Sequence, residues 1–586
     1  MWIKLVLLFF AFSLFFKTDT SFDQDLGRHI KLGEIIVNNF SVPKTNLFSY
    51  TNPDFPFINT HWFFEVIAYF FAQLGALQLL LILKVIIILL SVWIILKLIP
   101  KENTALLLPI GFIFLHVLRE RVELRPEIFS FLFTALTYYI LEASLRAKRS
   151  NLTSKGRSLL IFTLPIIQFI WINTHIYFFV GLVLQAIFLI HIGYHYLRSH
   201  LGRGLIAQGS AKLKPLGIIF ILSVLVSLIN PNGLNGLLYP LNVTKNYGYS
   251  IAENQTMFLL ESINFRDPNF LFVKISVGII LLSIIFVILN AVKNLIRSFE
   301  LRSQDDKAGI VKNILLSLFG LTLALMHVRS FPYLVFLSFP AVLQNFGVIR
   351  FKGLSNILSF IICILLLLES FFYLSGIYYK NTDNQHRVGL SFEESGKNAL
   401  DFVLSKDLPG PIFNNFDIGS YIIYRAYPKI KVFVDGRPEA YPAQFFQGIY
   451  IPSQVEYKNF KEVTSLYGFK TVIFSHTDQT PWGRNFLSSI IKDQDWQLIF
   501  IDDFMVILTK PEVANEKKLA PVDLASLNPT SYNFENHISY IRMGIFLINN
   551  QYPNGVSFIQ KALQLNPNSP FANSIVGNPS QKYFFW

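Results

Sequence analysis

Apolar runs too long and too free of charge for a soluble core recur through the first 380 residues of this chain. They centre on residues 1–16, 76–98, 104–118, 126–145, 158–172, 176–197, 214–229, 270–292, 311–326, 331–349 and 354–378. A helix perpendicular to a bilayer needs about 20 such residues, so these runs read as about eleven spans, the shorter ones with soft ends. Composition agrees. Hydrophobic residues make up 52% of the 586 and charged ones only 15%, where ordinary soluble domains carry roughly a quarter charged. A mean hydropathy of +0.45 argues in the same direction, against a soluble enzyme. The single cysteine, Cys363, lies inside an apolar run, which excludes an internal disulfide framework and a Cys-based zinc site.

The net charge of +13 gains meaning once it is sorted by loop. Arg146, Lys148, Arg149, Lys155 and Arg157 crowd one loop, and Arg198, Arg203, Lys212 and Lys214 another. Lys293, Arg297, Arg302, Lys307 and Lys312 fill a third, Arg350 with Lys352 a fourth, and Lys97 with Lys101 a fifth. Basic loops stay cytoplasmic. Eleven spans and a cytoplasmic N-terminus put all five inside, which predicts a multi-pass protein of the plasma (inner) membrane with an extracytoplasmic C-terminal part. No small-x-small cleavage site follows Phe16, where Lys17-Thr18-Asp19 stands instead, so the first run reads as an uncleaved span. Residues 61–98 are too long for one helix. His61 to Gln73 is therefore laid in the interface as an amphipathic helix, with Gly75 as the break. Nucleic acid is not an expected partner, because the basic residues sit in separate loops rather than on one face.

With this topology the unusual polar residues gather outside. The first outer loop, residues 17–75, opens SFDQDLGRHIKLGEII and offers Asp23, Asp25, Arg28 and His29; Leu26, Ile30, Gly33, Ile36 and Val37 then recur at helical spacing. An irregular Pro/Asn-rich stretch follows and ends in the second interfacial helix, with His61 and Glu65 at i,i+4. RERVELRPE supplies Arg119, Arg121, Glu123, Arg125 and Glu127; WINTHIYF supplies Asn173 and His175; INPNG supplies Asn230 and Asn232. IAENQT in a long loop carries Glu253, and MHVRSFPY carries His327 and Arg329 at a span end. Taken singly, each has a plain reading as snorkelling charge, interfacial anchor or turn. Charge at membrane depth is nevertheless costly. Acids in the first loop with Arg and His in later ones make a composite site suited to an anion beside a carboxylate.

At these residues the chain resembles the GT-C superfamily of integral-membrane glycosyltransferases, which use polyprenyl-phosphate-linked sugars. The resembling features are the Asp-x-Asp after the first span, the paired interfacial helices, the many spans and the outer C-terminal domain. More narrowly it is similar to a group of large bacterial membrane proteins of unassigned function, through FDQDLGRHIKLGEI, PKTNLFSYT, ELRPEIFSF, WINTHIYFFVGL, INPNG and GSYIIYRAYPKIKVFVDGRPEAY, over residues 20–510. The group's usual acid before the Trp of the second interfacial helix is replaced here by His61. The resemblance implies Asp23 or Asp25 as general base for an acceptor hydroxyl. It implies Arg125, Arg329 and Arg28 as phosphate ligands, since a guanidinium meets phosphate oxygens bidentately, with His175 and His327 as further donors. His29, His61, Glu65, Asn173 and Glu253 are expected as acceptor-side or auxiliary groups. Asp23, Asp25 and Glu253 also form a candidate set of hard oxygen ligands for Mg2+ or Mn2+.

From residue 381 the charge rises and apolar runs shorten. PIFNNF, KVFVDGR, TVIFSH, WQLIFID and FMVILTK read as five strands, with intervening helices, so 381–513 is expected to be a small α/β domain with a partly parallel sheet. Asp417, Asp435, Arg437 and Glu439 stand in its most distinctive pieces, with DGRPE favoured as a turn whose Arg pairs with local acids. Residues 514–534 read as a linker and 535–586 as a tail resembling one tetratricopeptide (TPR) helix pair. A single copy must dock elsewhere, and this suggests a protein partner. The leading expectation is a glycosyltransferase working on membrane-lipid-borne donors at the outer face; the alternative is a non-catalytic envelope-assembly scaffold on the same fold. A transporter is disfavoured, because the polar groups cluster at span ends and no internal duplication is seen.

Overall fold

The computed structural model describes residues 2–99, 104–146, 159–201, 206–242, 245–263, 265, 267–297, 304–346, 356–478 and 480–577. Half of the predicted topogenic Lys and Arg lie outside these. Among the described residues five helices are long and apolar enough to cross a membrane: Leu77–Leu98, Glu127–Leu145, Ile176–Tyr194, Asn269–Asn290 and Gly309–Met326. Shorter apolar helices cover Trp2–Phe15, Leu106–His116, Leu160–Thr174, Leu213–Val226 and Ser359–Leu374. The run expected at 331–349 is not one straight span. After a 3-10 turn at Val328–Ser330 it is wound as π-helix over Leu334–Ser338 and α-helix over Phe339–Phe346, with nearly every side chain buried by its neighbours. Asn269–Arg297 is the opposite case, exposing Leu271, Leu281, Leu282, Ile285 and Leu289, as a lipid-facing helix does.

The first helix, α1 (Trp2–Phe15), leads into a wide turn of π-helix at Phe22–Leu26 and then α2 (Gly27–Asn39). The second interfacial helix, α3 (Trp62–Gln73), ends at Gly75, whose φ of +63° permits the reversal into α4 (Leu77–Leu98). Helices α2 and α3 lie flush because Gly33 lacks a side chain; a Cβ there would stand 2.0 Å from the Glu65 carbonyl oxygen. That close approach brings Glu65 up to His29, one turn earlier on α2. A further span, α5 (Glu127–Arg146), packs along α4.

Among its described residues the α/β domain has four strands rather than five: β1 (Ile412–Asn414), β2 (Thr471–Ser475), β3 (Gln497–Ile501) and β4 (Met505–Thr509), in the order β1-β2-β4-β3. Only β1–β2 is parallel. KVFVDGR is apolar enough to be a strand, but its backbone bonds are taken elsewhere. Val432 N donates to Phe48 O at 3.0 Å, Phe433 N to Asn414 Oδ1 at 2.9 Å, and Val434 O accepts from Asn414 Nδ2 at 2.8 Å. The segment thus pairs with the Pro/Asn-rich first outer loop, where Tyr50 also donates to Ile412 O at 2.6 Å. Beside it, α6 (Gly419–Ala426) packs on α2, and the Phe22 ring meets Phe392, Tyr421 and Tyr424 edge-on. The tail forms α7 (His537–Asn549), α8 (Gly555–Leu565) and α9 (Pro570–Gly577) and folds back onto this chain.

Candidate active site

A cleft of about 1050 Å³ opens between the loop 17–75, the neighbouring ends of the apolar helices, the α/β domain and the tail. At its membrane end stand Gln24, Asp25, Arg125, Glu253 and Arg329. The π-helical turn buries Phe22 and Leu26, which leaves Gln24 and Asp25 facing the cleft. Arg125 comes from the turn before α5, where Pro126 opens the helix, and Glu253 from the long loop. Arg329 arrives on the 3-10 turn that follows the helix Gln304–Met326.

The charges interlock. Arg125 Nη1 lies 2.8 Å from Glu253 Oε2, its Nε 3.3 Å from Asp25 Oδ2, and its Nη2 donates to Gln24 Oε1 at 3.1 Å. Arg121 Nη1 takes the other oxygen of Glu253 at 2.9 Å, and Arg329 Nη2 stands 3.7 Å from Glu253 Oε2. Three guanidinium groups therefore face two carboxylates. Arg329 Nε is buried without a hydrogen-bond acceptor on a residue that lines the cleft, a deficit that an anion in the cleft would relieve. Burial works against ionisation of Asp25, but Arg125 and Arg28 outweigh it and hold the carboxyl below the ordinary carboxylate range. Glu253 is likewise opposed by burial and pulled down by Arg125, Arg121 and Arg329.

The residues expected in one site fall into two groups. Buried His29 and His175 and half-buried His61 form a row beside the cleft, with ring centroids 5.7 and 5.4 Å apart. His29 Nδ1 is 3.1 Å from Glu65 Oε1, and Asn59 donates to Glu65 Oε2 at 2.6 Å. Glu65 therefore pairs with His29 rather than with His61. Burial pushes Glu65 up to about 7, and pushes His61 down to about 3 and His29 and His175 in the same direction. Trp171 Nε1 donates to Ser130 Oγ at 2.7 Å, so the hydroxyl has its own proton to give His175 Nδ1, also at 2.7 Å. His175 is then the neutral tautomer with its proton on Nε2. Asn173 accepts from Trp62 Nε1 at 2.8 Å and ties α3 to the Leu164–Thr174 helix. None of these five lines the cleft.

Two expected phosphate ligands are occupied elsewhere. Arg28 bonds Asp25 Oδ1 at 3.1 Å and points its Nε at Ser420 Oγ, 3.4 Å away on α6, bracing the turn from behind. His327 Nδ1 donates to Asn254 O at 2.8 Å and so anchors the loop that carries Glu253. The side chain of Asp23 lies outside the described residues. Of the candidate metal set, Asp25 and Glu253 are paired with guanidinium groups, and no cluster of three or more His, Cys, Asp or Glu suited to a metal occurs among the described residues. Arg437 does pair locally, bidentate to Asp435 at 2.7 Å and sandwiched between Phe48 and Phe57. Asp417 lines the cleft; Glu439 does not. Three contributors escaped the sequence reading: Gln24, and the fully buried pair Asp19–Lys84 at 2.8 Å. A lysine interrupting the run 77–96 was the available signal for Lys84.

No family model and no curated protein matches the chain. Solved structures do. The archaeal oligosaccharyltransferase AglB from Archaeoglobus fulgidus, in complex with an inhibitory peptide and a dolichol-phosphate, superposes with a TM-score of 0.53 at 12% identity, over 96% of this chain and 86% of that one. An Archaeoglobus fulgidus oligosaccharyltransferase tethered to an acceptor peptide containing the NVT sequon gives 0.52 at 13% identity, over 83% and 70%. The chain carries helices long and apolar enough to cross a membrane and shares the fold of these oligosaccharyltransferase structures.

Proposed function

We propose that this protein is a membrane glycosyltransferase whose active site faces the extracytoplasmic side and which moves a sugar from a polyprenyl-phosphate donor to an envelope acceptor, whether glycolipid, polysaccharide or protein. The observation that carries this reading is the juxtaposition in one cleft of Asp25 with Arg125 and Arg329, the last with a buried Nε donor that lacks an acceptor. A lipid phosphate placed there would receive charge-assisted hydrogen bonds from both guanidinium groups. The fold neighbour described with a dolichol-phosphate and a peptide is consistent with that ligand pair.

In this mechanism the bond between the sugar's anomeric carbon and the phosphate oxygen breaks, its electron pair stays on the phosphate, and the acceptor oxygen or nitrogen bonds the anomeric carbon. Arg125 and Arg329 stabilise the growing charge on the leaving phosphate in a site partly closed to water, which is normally the largest contribution to such a rate. Asp25 stays ionised, accepts a hydrogen bond from the acceptor nucleophile and takes its proton as the new bond forms. The depressed basicity of Asp25 makes alignment of the acceptor the larger part of its role.

A scaffold role is favoured by one observation: Asp25 is bonded on both sides by guanidinium groups, and His61 fills the position before Trp62. The experiment that separates the readings is sugar transfer from lipid-linked donors by the purified wild type, Asp25→Asn and Arg329→Ala. Loss in both variants supports the enzyme. Equal rates in all three remove these residue roles, and no transfer with any donor leaves the scaffold.

A further inference from the structure

Asp19 and Lys84 are both fully buried, and Lys84 comes from the N-terminal half of the apolar helix α4. A lone charge at that depth is strongly disfavoured, and retaining such a pair demands an explanation beyond packing. The bonds of Asp19 supply one. Its Oδ2 accepts from Lys84 Nζ and from Leu124 N, each at 2.8 Å, and its Oδ1 accepts from Ser21 N at 3.0 Å and from the Ser21 hydroxyl. Leu124 immediately precedes Arg125, and Ser21 immediately precedes the turn that presents Asp25.

The same carboxylate therefore holds the backbone on both sides of the Asp25–Arg125 contact. A second clasp runs parallel to it: Thr20 N donates to Glu123 Oε2 at 3.0 Å, and Lys17 lies 3.5 Å from Glu120 and 3.7 Å from Glu123. His386 adds a bond from its Nδ1 to Thr18 O at 2.9 Å. Of these groups Thr20 reaches the cleft, whereas Asp19, Lys84 and Leu124 do not line it.

We infer that Asp19 and Lys84 are positioning residues: the buried pair locks the loop bearing Asp25 to the turn bearing Arg125, and so sets the distance between the acceptor-binding carboxylate and the phosphate-binding guanidinium. The catalytic part of this inference rests on the proposed glycosyltransferase reading; the geometric part does not. Small displacements of a reacting pair are costly in rate, whereas ground-state contacts with donor and acceptor survive them.

Removing one partner alone leaves an unpaired buried charge and threatens the fold. The informative variant is Asp19→Asn combined with Lys84→Met, which leaves no net charge behind, compared with wild type and each single change. Two measurements are made on the full-length protein in detergent: amide hydrogen exchange of segments 19–28 and 119–127, and the separate kcat and KM for transfer from a lipid-linked sugar. The double variant is expected to melt within a few degrees of wild type, to exchange about tenfold faster in both segments, and to lose about tenfold or more in kcat with KM little changed. Unchanged exchange in either segment overturns the inference whatever the activity, as does wild-type kcat. If wild type itself transfers no sugar, the glycosyltransferase reading fails, and the exchange result alone decides whether the pair locks the two segments together.

Discussion

Arg125 and Glu253 meet at 2.8 Å at the membrane end of the cleft, and that carboxylate also engages Arg121 at 2.9 Å. Glu253 thus occupies the guanidinium faces that a lipid phosphate would use. Glu253→Gln removes the competing charge. Polyprenyl-phosphate affinity is expected to rise about 3- to 10-fold, roughly 1 kcal/mol for a partly exposed ion pair, with a steeper dependence on salt. Titration of the variant and wild type with a polyprenyl phosphate at low and high ionic strength checks this; weaker binding by the variant would assign Glu253 to the ligand rather than against it.

Arg329 and Arg125 are expected to separate binding from stability. Arg329 makes no hydrogen bond through Nε and has a 3.7 Å contact with Glu253, so Arg329→Ala should leave the melting temperature nearly unchanged. The same variant loses a charge-assisted bond to phosphate of about 1.5–3 kcal/mol, or 10- to 100-fold in affinity. Arg125→Ala leaves Asp25, Glu253 and Gln24 short of a shared donor, and should destabilise by roughly 2 kcal/mol besides weakening phosphate binding. Thermal melts alongside phosphate titration of both variants test the contrast, and a large melting shift in Arg329→Ala would contradict it.

What could be read in the residues alone depended on how local the cause was. Gly75 as a break, α2 and α3 as amphipathic helices, and most strands follow from spacing and from the short-range conformational freedom of the chain. KVFVDGR failed because an apolar alternation says that a segment is buried but not which backbone it bonds; its partners, Phe48 and Asn414, lie outside the segment's own stretch of chain. Arg125 and Arg329 were legible as charges at span ends, where burial must be compensated. Arg28 and His327 carry the same signal, but Ser420, Asp25 and the Asn254 carbonyl satisfy them. Only the folded chain shows which acceptors each cation meets.

Glu65 gives the chain a pH dependence of unusual sign. Its carboxyl is raised from 4.5 to about 7 by burial, so the folded state binds the proton more tightly than the unfolded state does. Stability from this group is fully present below pH about 4.5 and is lost as pH rises through about 7. The protonated acid can donate to neutral His29 Nδ1 while Asn59 donates to its other oxygen, an arrangement a glutamine amide reproduces. Glu65→Gln is therefore expected to match wild type at pH 5 and to exceed it at pH 8, by on the order of 2–3 kcal/mol. Melting curves across that range check it; a variant less stable at pH 8 would show that the ionised carboxylate is the form the fold requires.

Asp383, just past the last membrane helix, holds the tail in place. Its Oδ1 meets His537 Nε2 at 2.9 Å, and its Oδ2 accepts from Ser569 Oγ at 2.9 Å and from Phe571 N at 2.8 Å. The backbone is left-handed there, with φ of +47°, which Asn tolerates better than Ala. Asp383→Asn therefore isolates the loss of the carboxylate from backbone strain, and Asp383→Ala adds that strain. Undocking exposes the chain between the α/β domain and α7, so cleavage by a protease in the 514–536 stretch should quicken about tenfold in Asp383→Asn and more in Asp383→Ala, a loss of roughly 1.4 kcal/mol or more in docking. Because Arg542, Asn549 and Asn550 of the tail line the cleft's outer wall, acceptor KM is expected to rise in both variants while polyprenyl-phosphate affinity, set by Arg125 and Arg329 at the other end, stays the same. An equal loss at both ends would mean that the tail holds the whole cleft together rather than one wall of it.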